Sequence, residues 1–238
     1  MTKKRDFDAG RLRAIRKVAD EGLAHSYPFS IPAIAALDEL EIGHGVTFFV
    51  GENGSGKSTL VEAVAVLAGL NPEGGSHNLK SATRPTESEL HRHLELLWER
   101  RPSAAFFLRA ETFYNTATAY EEVAIDGYHE RSHGESFLEV VERQIRPGTF
   151  VVMDEPESAL SVSGQLKLLC ALHDLMTGGS QFLIATHSPI LLTFPGAMIY
   201  QLTDGGMDTV TCEETDAYKL TKAFLNRPKQ FLRHLFDE

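Results

Sequence analysis

The sequence predicts an α/β fold: a mostly parallel central sheet with flanking helices, an antiparallel β edge and a small helical insertion. Three stretches carry that expectation. Val46-Thr47-Phe48-Phe49-Val50 is β-branched and aromatic, and a glycine-rich octapeptide separates it from the helix-compatible run Leu60–Ala68. Phe150-Val151-Val152-Met153 is apolar without alternation, as a strand covered on both faces should be, and it delivers Asp154 and Glu155 at its end. Gln181–Ala185 repeats that pattern and runs into Thr186-His187-Ser188-Pro189, with a helical run Val162–Met176 between the two strands.

The octapeptide Gly51-Glu52-Asn53-Gly54-Ser55-Gly56-Lys57-Ser58 fits G-x-x-x-x-G-K-[ST]. In that pattern the glycines let successive N–H groups turn inward on a phosphate chain at the positive end of a helix, with a lysine as counter-ion and a hydroxyl near the metal. Gly51, Asn53, Gly54, Ser55, Gly56, Lys57, Ser58 and Thr59 are therefore the candidate cradle for a triphosphate. Asp154, at a strand end beside such a loop, is placed to hold Mg2+ together with the Ser58 hydroxyl. The adjacent Glu155 is then a candidate general base, and His187 can contact the γ-phosphate and orient water.

The remaining elements follow in chain order. Arg11–Asp20 has helical spacing, with Leu12, Ile15 and Val18 on one side. Ile34–Ile42 alternates in part and reads as a β-rich edge; Tyr27 and Phe29 before it are either stackers for an adenine ring or ordinary core aromatics. Asn71–Ser76 reads as loop, and Thr86–Arg101 as a helix with Leu90, Leu94 and Leu97 on a stripe. His91 and His93 point to different faces of that helix and read as surface residues, not as a metal pair. Ala104–Leu108 is a short strand, with Arg109 and Glu111 at its end. Ser132 and Glu135 have capping-box spacing for a helix that continues through Phe137, Val140, Val141 and Ile145. Residues 197–202 and 207–212 flank Asp204-Gly205-Gly206 as a hairpin. The tail holds two helical pieces divided at Asn226-Arg227-Pro228, expected to pack on the domain, with use as a partner-binding helix as the alternative. The whole reads as a single domain over residues 1–238, with the helical insertion at about 71–148 and the C-terminal helices at about 216–236.

Composition limits the function classes. A chain of 238 residues with 42% hydrophobic content buries a substantial core without disulfides, and its two cysteines, Cys170 and Cys212, have no metal spacing. A reducing cytoplasm is the expected location, since no apolar run approaches a bilayer span and the first residues lead into charge. Net charge of −10 argues against a surface that is a nucleic-acid footprint throughout, although seven of the 23 Lys and Arg lie between Lys3 and Lys17.

Taken in order, G-E-N-G-S-G-K-S, Ser132-His133-Gly134-Glu135, V-V-M-D-E-P, Ser158-Ala159-Leu160-Ser161 and T-H-S resemble the Walker A, signature, Walker B, D-loop and switch-histidine motifs of ABC-type P-loop ATPases. The resemblance spans about Val46 to Ser188. It is closest to the compact soluble ATPases of the AAA_21/AAA_23 type, related to the RecF and chromosome-maintenance branch. It implies Mg2+-dependent ATP hydrolysis and a head-to-tail homodimer, in which Ser132, Gly134 and Glu135 of one copy close on nucleotide held by the other. It also implies a macromolecular partner, DNA or protein.

This sequence departs from the family pattern at two places. Arg131-Ser132-His133-Gly134-Glu135 replaces L-S-G-G-Q, and the lid-loop glutamine is missing from Arg109-Ala110-Glu111-Thr112, with Glu111 the candidate substitute as a metal ligand. Only 75 residues separate Lys57 from Ser132, too few for long coiled-coil arms, so a bare ATPase head is expected. The alternative class is the ATPase subunit of an ABC transporter; a small-molecule P-loop kinase and a binding switch without turnover stand further off.

Overall fold

The structure, a computed structural model, describes residues 10–18, 22–23, 25–72, 74–76, 88–111 and 133–236. The central sheet has the order β10-β9-β3-β8-β7-β6-β4. Its strands are β3 (Val46–Gly51), β4 (Gly75–Ser76), β6 (Ala105–Arg109), β7 (Phe150–Asp154), β8 (Gln181–Ala185), β9 (Met198–Thr203) and β10 (Gly206–Thr209). The run β9-β3-β8-β7-β6 is parallel, while β10 and β4 pair antiparallel at the two edges. The strand order brings the ends of β3, β7 and β8 side by side, which is where open parallel sheets place their ligands.

Alternation along the strands explains the layers. Phe49, Val152, Leu183 and Ala185 face one side and share a core with Leu60, Val61 and Val64 of α2 (Lys57–Leu67). Phe48, Val50, Val151, Met153, Phe182 and Ile184 face the other. There they meet Phe137, Val140 and Val141 of α3 (His133–Gln144) and Leu168 and Leu172 of α4 (Val162–Thr177). Each central strand is covered twice, so its middle residues are almost all apolar.

A second sheet, β2-β1-β5, is antiparallel and made of β1 (Arg11–Lys17), β2 (Glu39–Glu41) and β5 (Leu94–Arg100). It corrects two expectations. The helix expected over Arg11–Asp20 is strand β1, and the one expected over Thr86–Arg101 is, in its described part, a 3₁₀ turn at Glu89–His93 followed by strand β5. The described part of the expected helical insertion therefore contains strands as well as α3. Leu94, Leu96 and Trp98 lie at period two and pack on the α2-side core, with Trp98 edge-on to Phe150 at 4.9 Å. His93 is half-buried and edge-on to Phe29 at 4.9 Å, so it is not a surface residue. Phe29 is fully buried and serves the core, whereas Tyr27 is exposed.

Gln181 joins the two sheets. Its side chain is 2% exposed; it accepts from Leu12 N at 2.8 Å and donates to Leu12 O at 2.9 Å and Gly43 O at 2.7 Å. A buried amide satisfied three times fixes the small sheet's position against β8. The Tyr200 hydroxyl adds a bond to Glu41 O at 2.8 Å.

The hairpin β9–β10 and the tail helices α5 (Asp216–Asn226) and α6 (Pro228–Leu235) form as expected. The packing differs, because neither helix contains a buried residue, and Leu220, Leu225 and Leu235 are exposed. Ala217 packs against the core and Gln201 bonds Asp216 at 2.9 Å, which holds the start of α5 to β9. No helix among the described residues is long and apolar enough to cross a membrane.

Candidate nucleotide site

The loop between β3 and α2 is shaped by backbone that only glycine adopts without strain. Gly51, Gly54 and Gly56 have φ of 154°, 81° and 101°. A Cβ on Gly51 would stand 2.6 Å from Leu202 O and 2.7 Å from Ser55 Oγ, so the loop turns tightly against β9. Gly56 is the N-cap of α2 with no side-chain cap, which leaves the first-turn N–H groups aimed at the loop. Lys57 is 4% exposed; its Nζ donates to Gly51 O and Glu52 O, both at 2.9 Å. Burial lowers the Lys57 amine below its ordinary range, opposed by Glu155, Asp154, Glu157 and Glu52.

Asp154 ends β7 at 5% exposure. Burial raises its carboxyl to about 6; the Ser58 hydroxyl and Arg109 work against the rise, and Glu155 and Glu111 add to it. The next residue turns sharply. Glu155 has φ 48° and ψ 51°, a left-handed conformation that costs an L-residue about 1–2 kcal/mol, and its N–H is held by Ala185 O at 2.9 Å. This turn lifts the Glu155 carboxylate out of the sheet to 3.4 Å from His187 Nε2. Strain at one non-glycine residue beside a phosphate loop is consistent with a functional placement.

Glu157 follows in the 3₁₀ turn Pro156–Ala159, where its Oε1 accepts from the His187 main-chain N–H at 2.5 Å. Beyond it, Ser188 Oγ donates to Gln165 Oε1 at 2.6 Å and accepts from Ile190 N and Leu191 N, so the segment after His187 is fixed to α4.

Arg109 is the side chain that meets Asp154. The two are register partners at the ends of β6 and β7, and Arg109 Nε lies 3.5 Å from Asp154 Oδ2. Its NH1 donates to Glu62 Oε2 of α2 at 2.8 Å, and its NH2 lies 3.8 Å from Glu111 Oε2. Glu111, the expected substitute for a lid-loop ligand, is 77% exposed and meets Arg109.

Among the described residues, buried side-chain atoms without a hydrogen-bond partner are Ser55 Oγ, Asp154 Oδ1, Arg109 Nε, Glu157 Oε2, His187 Nε2 and, remote from the loop, Arg11 Nε. Such groups are costly to bury unless something else satisfies them. Their clustering around one loop fits a polyanion with a divalent cation: Asp154 Oδ1 and the Ser58 hydroxyl are hard oxygen donors suited to Mg2+. A cleft of about 840 Å³ opens beside the loop, lined by Asn53, Ser55, His187, Asp204 and Lys219. Its size suits a nucleotide-scale ligand.

Of the expected site residues, the structure brings Lys57, Ser58, Asp154, Glu155 and His187 together. Thr59 is tied to Tyr27, hydroxyl to hydroxyl, at 3.1 Å. Ser132 lies outside the described residues. Gly134 sits in the first turn of α3, where a Cβ would stand 3.0 Å from Ala159 O, and Glu135 is exposed beside it. Glu62 and Glu157 are additions. The sequence signal for Glu157 was its place directly after Asp154-Glu155-Pro156, whereas Glu62 carried none.

The strand–loop–helix geometry with Asp154 across the sheet defines a P-loop nucleotide-binding protein. Residues 33–149 match the family model AAA_23, described as an AAA domain. An Agrobacterium fabrum protein named for ribose, galactose and methyl galactoside import ATP binding is 29% identical over 66% of this chain and 36% of its own length. A Haemophilus influenzae protein named as an uncharacterized ABC transporter ATP-binding protein is 28% identical over 64% of this chain and 68% of its own. Among solved structures, the SMC head domain from Thermotoga maritima aligns with a TM-score of 0.46 and 15% identity, over 84% of this chain and 98% of that one. Over these residues the chain is similar to AAA-domain and ABC-type ATP-binding proteins, and it spans little more than a third of the length of the importer relative.

Proposed function

We propose that this chain binds ATP with Mg2+, hydrolyses it to ADP and phosphate, and uses the nucleotide to bring two copies together head to tail. The observation that carries the reading is the Glu155–His187 pair at 3.4 Å, set near buried Lys57 at the start of α2 and buried Asp154 at the end of β7. Lys57 and the N–H groups of the Gly51–Ser58 loop take the phosphates, the lysine exchanging its two carbonyl contacts for phosphate oxygens. Asp154 and Ser58 would hold Mg2+, which would supply charge neutralisation for the phosphates. Glu155 accepts the proton of the attacking water as the new P–O bond forms and the bond to the ADP leaving group breaks. His187 donates to the γ-phosphate and holds the water's approach.

Dimerisation follows from charge. The start of α3, His133–Glu135, in a second copy gains most from the γ-phosphate while that phosphate is present, so hydrolysis releases the pair. The output acts on a macromolecule, DNA or protein, in the cytoplasm. The test measures ATP turnover and oligomeric state for the wild type and for Glu155→Gln. The variant should bind ATP with Mg2+, hydrolyse it poorly and accumulate as a dimer; tight binding with no dimer at any concentration would refute the coupling. If DNA is the partner, affinity falls steeply with added salt.

The names of the relatives favour a second reading, the ATPase subunit of a membrane transporter. Copurification with a permease separates it from the first.

A further inference from the structure

Arg109 carries chemistry that the nucleotide site does not yet account for. A guanidinium 22% exposed sits beside Asp154, the carboxylate proposed to hold Mg2+, where the two cations compete for the same oxygens. Three contacts define its position. Parallel pairing sets Arg109 opposite Asp154, and the ladder continues one step through Ala110 N to Asp154 O at 3.2 Å, so both side chains leave the sheet at the same level. Glu62, 14% exposed on α2, takes Arg109 NH1 at 2.8 Å, a full charge-assisted hydrogen bond. The contact to Asp154 is 3.5 Å, and both Arg109 Nε and Asp154 Oδ1 have no hydrogen-bond partner. The guanidinium is thus anchored on Glu62 and held short of Asp154.

We propose that Arg109 is a positioning residue for the metal site: Glu62 of the P-loop helix anchors its guanidinium, which steadies the Asp154 carboxylate while leaving Oδ1 open to Mg2+. Without Glu62 the fork closes on Asp154 as a bidentate pair and the cation must displace it. A planar fork presents donors in fixed directions to carboxylates on two elements, whereas a lysine offers a compact point charge without that directionality. The arrangement also links α2, which begins at the phosphates, with β6 and β7, so movement of the P-loop helix reaches the metal carboxylate through a single side chain.

The inference rests on the proposed ATP and Mg2+ binding, and its test reads binding rather than turnover. A fluorescent ATP analogue is titrated into the full chain in EDTA and over a range of Mg2+ concentrations, with melting curves to establish folding. In Glu62→Gln the Mg2+ concentration giving half-maximal tight binding should rise about tenfold, on the scale of one charge-assisted contact, while affinity in EDTA is unchanged. In an Arg109→Gln background the same Glu62→Gln change should have no further effect. An undiminished shift in that background, or wild-type Mg2+ dependence in Glu62→Gln, overturns the proposal. If Glu62→Gln fails to fold, Arg109→Lys replaces it: the charge stays, the fork is lost, and a Mg2+ requirement equal to wild type overturns the proposal equally. Failure of the wild type to bind the analogue with Mg2+ counts against the nucleotide reading itself, a different result.

Discussion

The main-chain N–H of His187 donates to Oε1 of Glu157 over 2.5 Å, tying the end of β8 to the turn that follows β7. His187 Nε2 in turn lies 3.4 Å from Glu155, so two carboxylates separated by one proline bracket the histidine from its backbone and its ring. Glu157→Ala should lower turnover about tenfold through misplacement of His187, with ATP affinity nearly unchanged. Glu157→Gln keeps an acceptor oxygen and should retain most activity. Steady-state kinetics with separate nucleotide titrations checks this; wild-type turnover in the alanine variant would remove Glu157 from the mechanism.

Asp154 trades stability for function. Its carboxyl ordinarily titrates at 3.8 and is raised to about 6 by burial, so between those values the folded state holds a proton that the unfolded state has lost. Stability therefore falls as pH rises from about 4 to about 6, and the cost is constant above that, at most about 3 kcal/mol. Asp154→Asn should stabilise the nucleotide-free protein at neutral pH. The gain should shrink as pH falls through about 6, while Mg2+-dependent tightening of ATP binding is lost. Urea unfolding at several pH values, with Mg2+ titrations, measures both.

Lys57→Ala should remove ATP binding, by about a hundredfold or more in affinity, because a buried ammonium beside the phosphates has no substitute in the loop. The protein should stay folded, since the lost contacts are to two loop carbonyls that water can reach. Loss of ATP-induced thermal stabilisation with an unchanged circular dichroism spectrum is the expected result.

Glu155 offers a test of backbone strain separate from chemistry. At φ 48° glycine is at ease and alanine is not. Glu155→Gly should be about 1 kcal/mol more stable than Glu155→Ala in denaturant unfolding, while both lose hydrolysis. Equal stability would show that the surrounding structure relaxes the turn.

The candidate phosphate site was legible because its requirements are local: glycines that permit a loop, a lysine and hydroxyl at fixed offsets, and carboxylates at the end of an apolar strand. The two overturned helices show where locality fails. Leu90, Leu94 and Leu97 make a helical stripe, yet Leu94, Leu96 and Trp98 also lie at period two, and the pairing of β5 with β1 selects the second pattern. Over seven residues the two periods are not separable in such a sequence. Arg11–Lys17 is ambiguous in the same way, with a register shift between Leu12 and Ala14 that breaks its alternation.

By itself the sequence determined an α/β chain with a phosphate loop followed by Asp154, Glu155 and His187 at strand ends, because each of those features depends on neighbours within about ten residues. The tertiary structure decided that Arg109, rather than Glu111, meets Asp154, that Glu62 holds it, and that Glu157 grips His187. Those contacts join residues 45, 47 and 30 positions apart. They exist because parallel pairing lays strand ends side by side and α2 packs against that sheet, and no spacing along the chain encodes which of these parts become neighbours.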